Sequence, residues 1–311
     1  MFAYLLKRVL LFVPTLLGIT LITFILMQSL PGDPVANMVG ERASAETIAR
    51  IRREVGVDRP LPVQYLLYLK RLVHGDLGRS LFTNRRIGDD LLQKFPNTLK
   101  LALAAMLFAS VIGIALGVFA ATKRGTGWDR LVTLVTVGGI SVPVFWLGLA
   151  LMLLFSLHLR WLPPSGMGNG SLVYIILPAV TLGTFSLSYI ARITRSSMLE
   201  SLSQPFVAAA RAKGLPETTV VLKHALKSSL IPIVTIIGLD LGSYLNGAVL
   251  TETIFGWDGL GRYALTGILG RDYPAIMGVV LFGAIVFVTL NLFVDVLYHF
   301  LDPRVRIKGA S

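Results

Sequence analysis

Six long apolar stretches constrain this chain more than any other feature of its sequence. Each comes close to or exceeds the ~20 residues that a helix needs to cross the hydrocarbon core of a bilayer. The stretches are Val9–Leu30, Leu99–Ala121, Leu131–Leu157, Leu172–Ile190, Leu230–Leu250 and Ala275–Phe300. Of the 311 residues, 54% are hydrophobic and 15% are charged, whereas soluble domains carry about 25% charged residues. The sequence therefore predicts an all-α membrane protein with six transmembrane helices.

The positions of the basic residues predict how these helices are oriented. Lys and Arg outnumber Asp and Glu by 29 to 17, which gives a net charge of +12. If the N-terminus is cytoplasmic, 14 basic residues lie on cytoplasmic segments, three on short outer loops and 12 in residues 31–100. A long loop crosses the membrane largely regardless of its charge, so both termini are predicted to be cytoplasmic. Nucleic-acid binding is not expected, because the basic residues form no single face with interleaved aromatic residues.

The first long segment between spans, residues 31–98, is predicted to lie outside the membrane. Its pattern predicts helices over Ser44–Val55 and Pro62–Val73, ended by Gly56 and Gly75. Two interpretations stay open at this point. The segment is either a lid or docking surface for a soluble partner, or a solvated cap that ties the first two spans together.

The second long segment, residues 191–229, is predicted to be cytoplasmic. It contains a short helix of small residues over Val207–Lys213, and Gly214 ends this helix. Such a helix suits insertion into a groove on another protein. An ordinary linker built from helical pieces has the same composition, so both interpretations stay open.

No residue pattern points to an enzyme. The sequence lacks the phosphate-binding motif G-x-x-x-x-G-K-[ST], the zinc motif H-E-x-x-H and the nucleophile motif G-x-S-x-G. It has no Cys, and its four His residues share no ligand-type spacing. We therefore expect a transport protein that is not an enzyme and that binds no metal or cofactor itself.

One acidic residue, Asp240, lies inside the fifth apolar stretch. Ionisable residues are costly in a membrane and usually face a bundle interior or a watery path. Asp240 sits within Gly238-x-x-x-Gly242, a spacing that allows close helix approach. It is therefore either a residue of a translocation path or a structural hydrogen-bonding group between helices.

Two functional classes fit these features: a secondary transporter that works alone, and a membrane subunit that takes its energy from a partner. A secondary transporter would be expected to show more intramembrane acids or two matching halves. The chain shows no such internal repeat, which favours the second class.

The segment 208-AAARAKG-214 resembles the conserved cytoplasmic loop of binding-protein-dependent ABC importer permeases. In that family a Glu-Ala-Ala-x-x-x-Gly motif forms a coupling helix. Here Ala209, Ala210 and Gly214 match the motif, and Ala208 stands in place of the Glu. Further stretches are similar to the dipeptide/oligopeptide branch, and to the first permease of its pair: 31-PGDP-34, 75-GDLG-78, 250-LTETIF-255, 271-RDYP-274 and 302-DPR-304.

The resemblance covers nearly the whole chain. It implies that residues 1–311 form a single transmembrane domain with the type I ABC importer permease fold. It implies a second, related permease subunit, two ABC ATPase subunits that hold ATP and Mg, and an extracytoplasmic peptide-binding protein. ATP binding would close the ATPases, move the coupling helices and open the pathway outward. The chain would lie in the cytoplasmic (inner) membrane of a prokaryote and import dipeptides or oligopeptides, with nickel or glutathione as alternative substrates.

The residues that follow from this interpretation fall into two groups. Docking to the ATPase is assigned to Ala209, Ala210, Arg211, Ala212, Lys213, Gly214, Leu215 and Glu217. Candidates for the translocation path are Asp240, Asn246 and Glu252.

Overall fold

The computed structural model describes residues 2–29 and 58–301. Within these ranges the regular elements are helical, apart from one isolated bridge between Arg79 and Arg86. The helices are α1 (Phe2–Ser29), α2 (Leu61–Val73), α3 (Ile87–Thr122), α4 (Gly127–Ser141), α5 (Val144–Met152), α6 (Val173–Leu202), α7 (Pro205–Ala212), α8 (Glu217–Leu245), α9 (Val249–Ile254), α10 (Leu260–Gly270) and α11 (Tyr273–Leu301). A π-helical turn over Leu153–His158 extends α5, and another over Val220–Ala225 lies within α8. The predicted helix over Ser44–Val55 lies outside the described residues.

The contact between α3 and α6 forms the centre of the bundle. Three glycines let the two backbones approach: Gly113 and Gly117 on α3, and Gly183 on α6. A Cβ atom at Gly117 would lie 2.6 Å from the Ala191 carbonyl oxygen, and one at Gly183 would lie 2.6 Å from that of Ala105. Lipid tails are as apolar as the helices, so such close packing is what holds helices together in a membrane. The G-x-x-x-G spacing at Gly113 thus serves packing within the chain.

The third predicted span, Leu131–Leu157, is not one straight helix. It is divided between α4 and α5, which meet at an angle of 102°. Pro143 explains the break, because it lacks an N–H group and drives the preceding residue out of the helical region. Val142 accordingly has the extended values φ −81° and ψ 126°.

Four described helices are long and apolar enough to cross a bilayer: α3, α6, α8 and residues Tyr273–Phe293 of α11. The bent pair of α4 and α5 brings the number to five if it counts as one span. α1, which runs over Phe2–Ser29, contributes the apolar segment Leu10–Leu26 and is not counted among these helices. The described residues therefore contain four or five such helices where the sequence predicts six.

The ends of the predicted spans also shift. α3 begins at Ile87, twelve residues before the predicted span, and α6 continues to Leu202, well past Ile190. α8 ends at Leu245, so that Leu250 falls on the separate short helix α9. Hydropathy marks only the apolar part of a helix, whereas the hydrogen-bonded helix continues into polar sequence at either end.

α2 packs along the second half of α1. The Tyr65 hydroxyl lies 3.0 Å from Thr20 Oγ1 and donates to the Leu17 carbonyl oxygen at 3.2 Å. The Phe24 ring lies 5.4 Å from the Tyr65 ring and 6.3 Å from the Tyr68 ring, measured between centroids. The predicted helix Pro62–Val73 is thus present, starts one residue earlier, and rests on the first apolar helix.

Replacing Gly117 by Ala should destabilise the chain. The added Cβ atom would overlap backbone and side-chain atoms of α6, and overpacking of this kind costs about 1–3 kcal/mol. Gly138→Ala is the matched control, because nothing lies within 4 Å of a Cβ there and both changes gain the same helix propensity. We expect Gly117→Ala alone to lower the thermal unfolding midpoint in detergent. Equal midpoints for the two variants would contradict the close α3–α6 contact.

Candidate coupling surface and intramembrane polar site

The short helix α7 follows α6 and has well-defined ends. Pro205 occupies its first turn, where a missing N–H group is tolerated. Gly214 follows the helix at φ +75°, a backbone conformation that residues with a side chain rarely adopt. The Gly214 N–H donates to the Arg211 carbonyl oxygen at 2.9 Å. The sequence prediction of a short helix ended by this glycine is confirmed, although the helix begins at Pro205.

α7 presents one face to the chain and the other to the outside. Val207 is fully buried and Ala210 is 7% exposed, and both pack against Val220 of α8. The residues around the rest of the helix are exposed: Phe206, Ala208, Ala209, Arg211, Ala212 and Lys213. Of the residues predicted to dock onto an ATPase, Ala210 therefore points into the chain. The other seven are exposed.

Phe206 is a surface residue that the sequence interpretation did not include. It is 43% exposed and lies one helical turn before Ala209, on the outward side of α7. Leu215, just beyond the helix, is 37% exposed. Phe206 lies three positions before Ala209, and this helical spacing could have indicated that the two residues share one face of α7. We define the coupling surface as Phe206, Ala209, Ala212 and Leu215.

An ion pair closes the loop that follows α7. Arg211 Nη2 donates to Glu217 Oε1 at 2.6 Å, and Arg211 Nε donates to Glu217 Oε2 at 3.1 Å. This two-pronged contact fixes the relative orientation of α7 and the start of α8. The hydrogen bonds to Glu217 raise the pKa of Arg211 above its usual range.

The loop and α7 rest on the ends of two long helices. Ser201 of α6 donates to the Ala225 carbonyl oxygen at 3.0 Å, and Ser229 donates to the same oxygen at 2.9 Å. Ala225 belongs to the π-helical turn of α8, in which the backbone hydrogen bonds do not follow the ordinary α-helical pattern. Met198 is fully buried beside Ala225. Leu202, the last residue of α6, packs against the apolar cluster that α7 forms with the start of α8, so α7 is held to both long helices.

A buried ion pair joins α4 to α6 near the same end of the bundle. Asp129 is 5% exposed and accepts two hydrogen bonds from Arg195, from Nε at 2.6 Å and from Nη2 at 2.8 Å. It also accepts one from the Gly125 N–H at 3.0 Å. The sequence interpretation did not pair Arg195 with Asp129, because a contact 66 residues apart in sequence leaves no local pattern.

A polar network lies between α6 and α8, within the apolar part of both helices. Ser186 donates to Asp240 Oδ2 at 2.5 Å, and its oxygen lies 2.6 Å from the Tyr244 hydroxyl. Tyr244 in turn donates to the Leu182 carbonyl oxygen at 2.9 Å. Asp240 is half-buried at this interface. The network shows that Asp240 has a structural hydrogen bond, and whether it also lines a path stays a prediction.

The other two path candidates lie further along the chain. Asn246 follows the last residue of α8, is exposed, and donates to the Gly242 carbonyl oxygen at 3.1 Å. Glu252 is fully buried, accepts a bond from Thr98 Oγ1 at 2.8 Å, and accepts another from the Arg262 N–H at 2.9 Å. Burial raises the pKa of Glu252, and these hydrogen bonds offset part of the shift. Its geometry favours an anchoring role among α3, α9 and α10.

The chain matches two family profiles. The inner membrane component of binding-protein-dependent transport systems matches residues 113–307, and the N-terminal membrane component of such systems matches residues 1–102. The chain therefore belongs to the family of inner membrane components of binding-protein-dependent transport systems. The resemblance seen in the loop 208–214 is confirmed, and the family is one of membrane transport components.

Similar proteins extend along the whole chain. The dipeptide transport system permease protein DppB of Escherichia coli (strain K12) is 41% identical over 99% of this chain and 100% of its own length. The di/tripeptide transport system permease protein DppB of Pseudomonas aeruginosa is 43% identical over 98% of this chain and 99% of its own. The glutathione transport system permease protein GsiC of Salmonella typhimurium is 42% identical over 99% of this chain and 100% of its own length.

Among solved structures, an inward-facing form of the MetNI methionine ABC transporter aligns with a TM-score of 0.59. The alignment covers 68% of this chain and 96% of that one at 20% sequence identity. At this identity the match concerns the fold alone, and it agrees with the expected importer permease fold.

Removing the charge of Asp129 should destabilise the bundle. Asp129→Asn leaves the half-buried Arg195 guanidinium without its carboxylate partner, and we expect a loss of about 2 kcal/mol in unfolding free energy. Denaturation of the purified chain in detergent measures the loss. Arg130→Gln is the control, since this adjacent residue is exposed. Equal stability of Asp129→Asn and the unaltered chain would show that the pair contributes no net stabilisation.

Proposed function

We propose that this chain is the membrane-spanning permease subunit of an ATP-driven importer of dipeptides and short peptides. The observation that carries the proposal is α7, a short helix with small exposed residues that is fixed to α6 and α8. Near-full-length identity of 40–43% to dipeptide permeases supports the substrate class. In this proposal the chain crosses the membrane six times, with both termini in the cytoplasm.

The proposal requires partner chains. A second related permease completes the pathway, two ATPases bind ATP and Mg, and an extracytoplasmic binding protein delivers the peptide. The coupling surface enters a groove on one ATPase, where Ala209 and Ala212 allow close approach and Phe206 and Leu215 supply apolar contact area. Because α7 is held to two long helices, movement of the ATPase is passed to both of them.

Glutathione import is the second candidate function. The glutathione permease relative is as similar to this chain as the dipeptide permeases are, at 42% identity over 99% of the chain. Glutathione is itself a short peptide, so the same permease architecture serves both substrates. Mass spectrometry of the ligand carried by the cognate binding protein distinguishes the two.

A large residue at Ala209 should block coupling without unfolding the chain. Ala209 is exposed, so Ala209→Trp meets no atoms of its own chain, yet it would fill the space that the ATPase groove needs. We expect peptide uptake and ATPase co-purification to fall at least tenfold. Ala209→Ser, which stays small, is the control and should retain both. Normal ATPase binding and uptake in Ala209→Trp would contradict docking through this surface.

The chain alone should not transport peptide. In liposomes that contain only this subunit, we expect no uptake of a radiolabelled dipeptide under a proton or sodium gradient. Uptake should require the second permease, the ATPases, ATP and the loaded binding protein together. Gradient-driven uptake by the single chain would instead identify a secondary transporter.

A further inference from the structure

Asp240 is the single charged residue between Lys227 and Glu252. It lies in α8, one of the helices that are long and apolar enough to cross a bilayer. Its carboxylate is half-buried against α6, and its one hydrogen-bond donor among the described residues is Ser186. Within the described part of the chain, no Lys or Arg forms an ion pair with it.

The surrounding hydroxyl groups hold this carboxylate in place without neutralising it. Ser186 is 1% exposed and gives its one hydrogen to Asp240 Oδ2. Tyr244 contacts Ser186 from the other side and gives its hydrogen to the Leu182 carbonyl oxygen. Among the described residues, Asp240 Oδ1 has no hydrogen-bond partner.

A carboxylate in apolar surroundings either takes up a proton or pairs with a cation. Since the described part of the chain supplies no cation beside Asp240, a cation that pairs with it comes from outside the chain. The molecule that passes through a peptide permease carries a suitable one. Every unmodified peptide has an α-amino group, whose pKa of about 8 keeps it mostly protonated at neutral pH.

The neighbourhood of Asp240 leaves room for such a group. Leu239 is 51% exposed and Ser243 is exposed, so the carboxylate borders an open face of α8. Phe185, which precedes Ser186, is 52% exposed on α6. A fixed negative charge beside open polar and aromatic surface suits the one cationic group that peptides of different sequence have in common.

We propose that Asp240, oriented by Ser186 and Tyr244, binds the α-ammonium group of the peptide during its passage through the membrane. This inference rests on the proposed function. It extends that function by naming the part of the substrate that the permease recognises. A Lys or Arg of the second permease offers the same chemistry from another source, and the experiment below separates the two.

The test uses the complete importer in proteoliposomes, supplied with saturating, fully loaded binding protein. Asp240→Asn removes the charge but keeps an oxygen that accepts the Ser186 hydrogen bond, so a purely structural role predicts little change. We expect uptake of dialanine to fall at least tenfold while recovery of the assembled complex is unchanged. Ser186→Ala keeps the charge but removes the hydroxyl that orients it, so it should lower dialanine uptake by less than Asp240→Asn does.

The substrate arm compares dialanine with N-acetyl-dialanine, which has no ammonium group, at equal measured occupancy of the binding protein. We expect the ratio of Asp240→Asn to wild-type uptake to be at least fivefold higher for the acetylated peptide. Wild-type uptake of dialanine by Asp240→Asn would overturn the inference and leave the proposed function intact. Equal losses for both peptides, together with poor recovery of the permease pair, would overturn it in favour of a cation on the second permease.

Uptake by the unaltered importer distinguishes a failure of the proposed function from a failure of the ammonium site alone. If it takes up neither peptide in the presence of ATP, the proposed function fails and the ammonium site fails with it. If it takes up dialanine and the variant does so equally well, only the ammonium site fails.

Discussion

The close approach of α3 and α6 is the contact on which the rest of the bundle depends. In a bilayer the helices gain little from leaving their surroundings, so association relies on packing and on hydrogen bonds. Glycines at 113, 117 and 183 allow the two backbones to touch. α4, α5, α8 and α11 each contact one or both helices of this pair, whereas α1 is attached through α11. α4 is tied to α6 by the Asp129–Arg195 pair, whereas α9 and α10 are tied to α3 through Glu252.

The polar contacts occur where helices have to keep a fixed position relative to one another. At one end, Ser201 of α6 donates to the Ala225 carbonyl oxygen, which fixes α8 beside the last turns of α6. In the apolar middle, Ser186 and Tyr244 join the same two helices. At the other end, Thr98 connects α3 to Glu252. Each of these contacts has few polar atoms and lies in apolar surroundings. Loss of one partner therefore leaves the other polar group buried without a hydrogen bond.

Much of this architecture could be predicted from the sequence, and the exceptions have physical reasons. Runs of apolar residues located α3, α6, α8 and α11, because membrane helices must bury an apolar length. The position of Gly214 predicted the end of α7. The 102° bend at Pro143 was not anticipated, although a proline inside a long apolar run is the usual cause of such a break. A hydropathy profile shows Leu131–Leu157 as one continuous apolar run and contains no information about a change in helix direction within it.

The site was less predictable than the fold. A motif match assigns Ala209 and Ala210 the same role, but their side chains point to opposite sides of α7 because Val220 packs against one and not the other. The Asp129–Arg195 pair and the Thr98–Glu252 hydrogen bond join segments 66 and 154 residues apart, so no local pattern reveals them. Such contacts depend on how the helices are arranged in space.

The coupling surface and the Asp240 site share the same two helices. α7 packs against Leu202 at the end of α6 and Val220 near the start of α8, and the Ser186–Asp240 hydrogen bond spans these helices deeper in the bundle. A displacement of α7 that moves α6 relative to α8 therefore acts directly on the surroundings of the carboxylate. A small change in that spacing is enough to break a hydrogen bond of 2.5 Å and to change how strongly the carboxylate holds an ammonium group. Under the proposed function, no further element is needed between the ATPase and the substrate: the pair of helices that receives the motion also carries the group that releases the peptide.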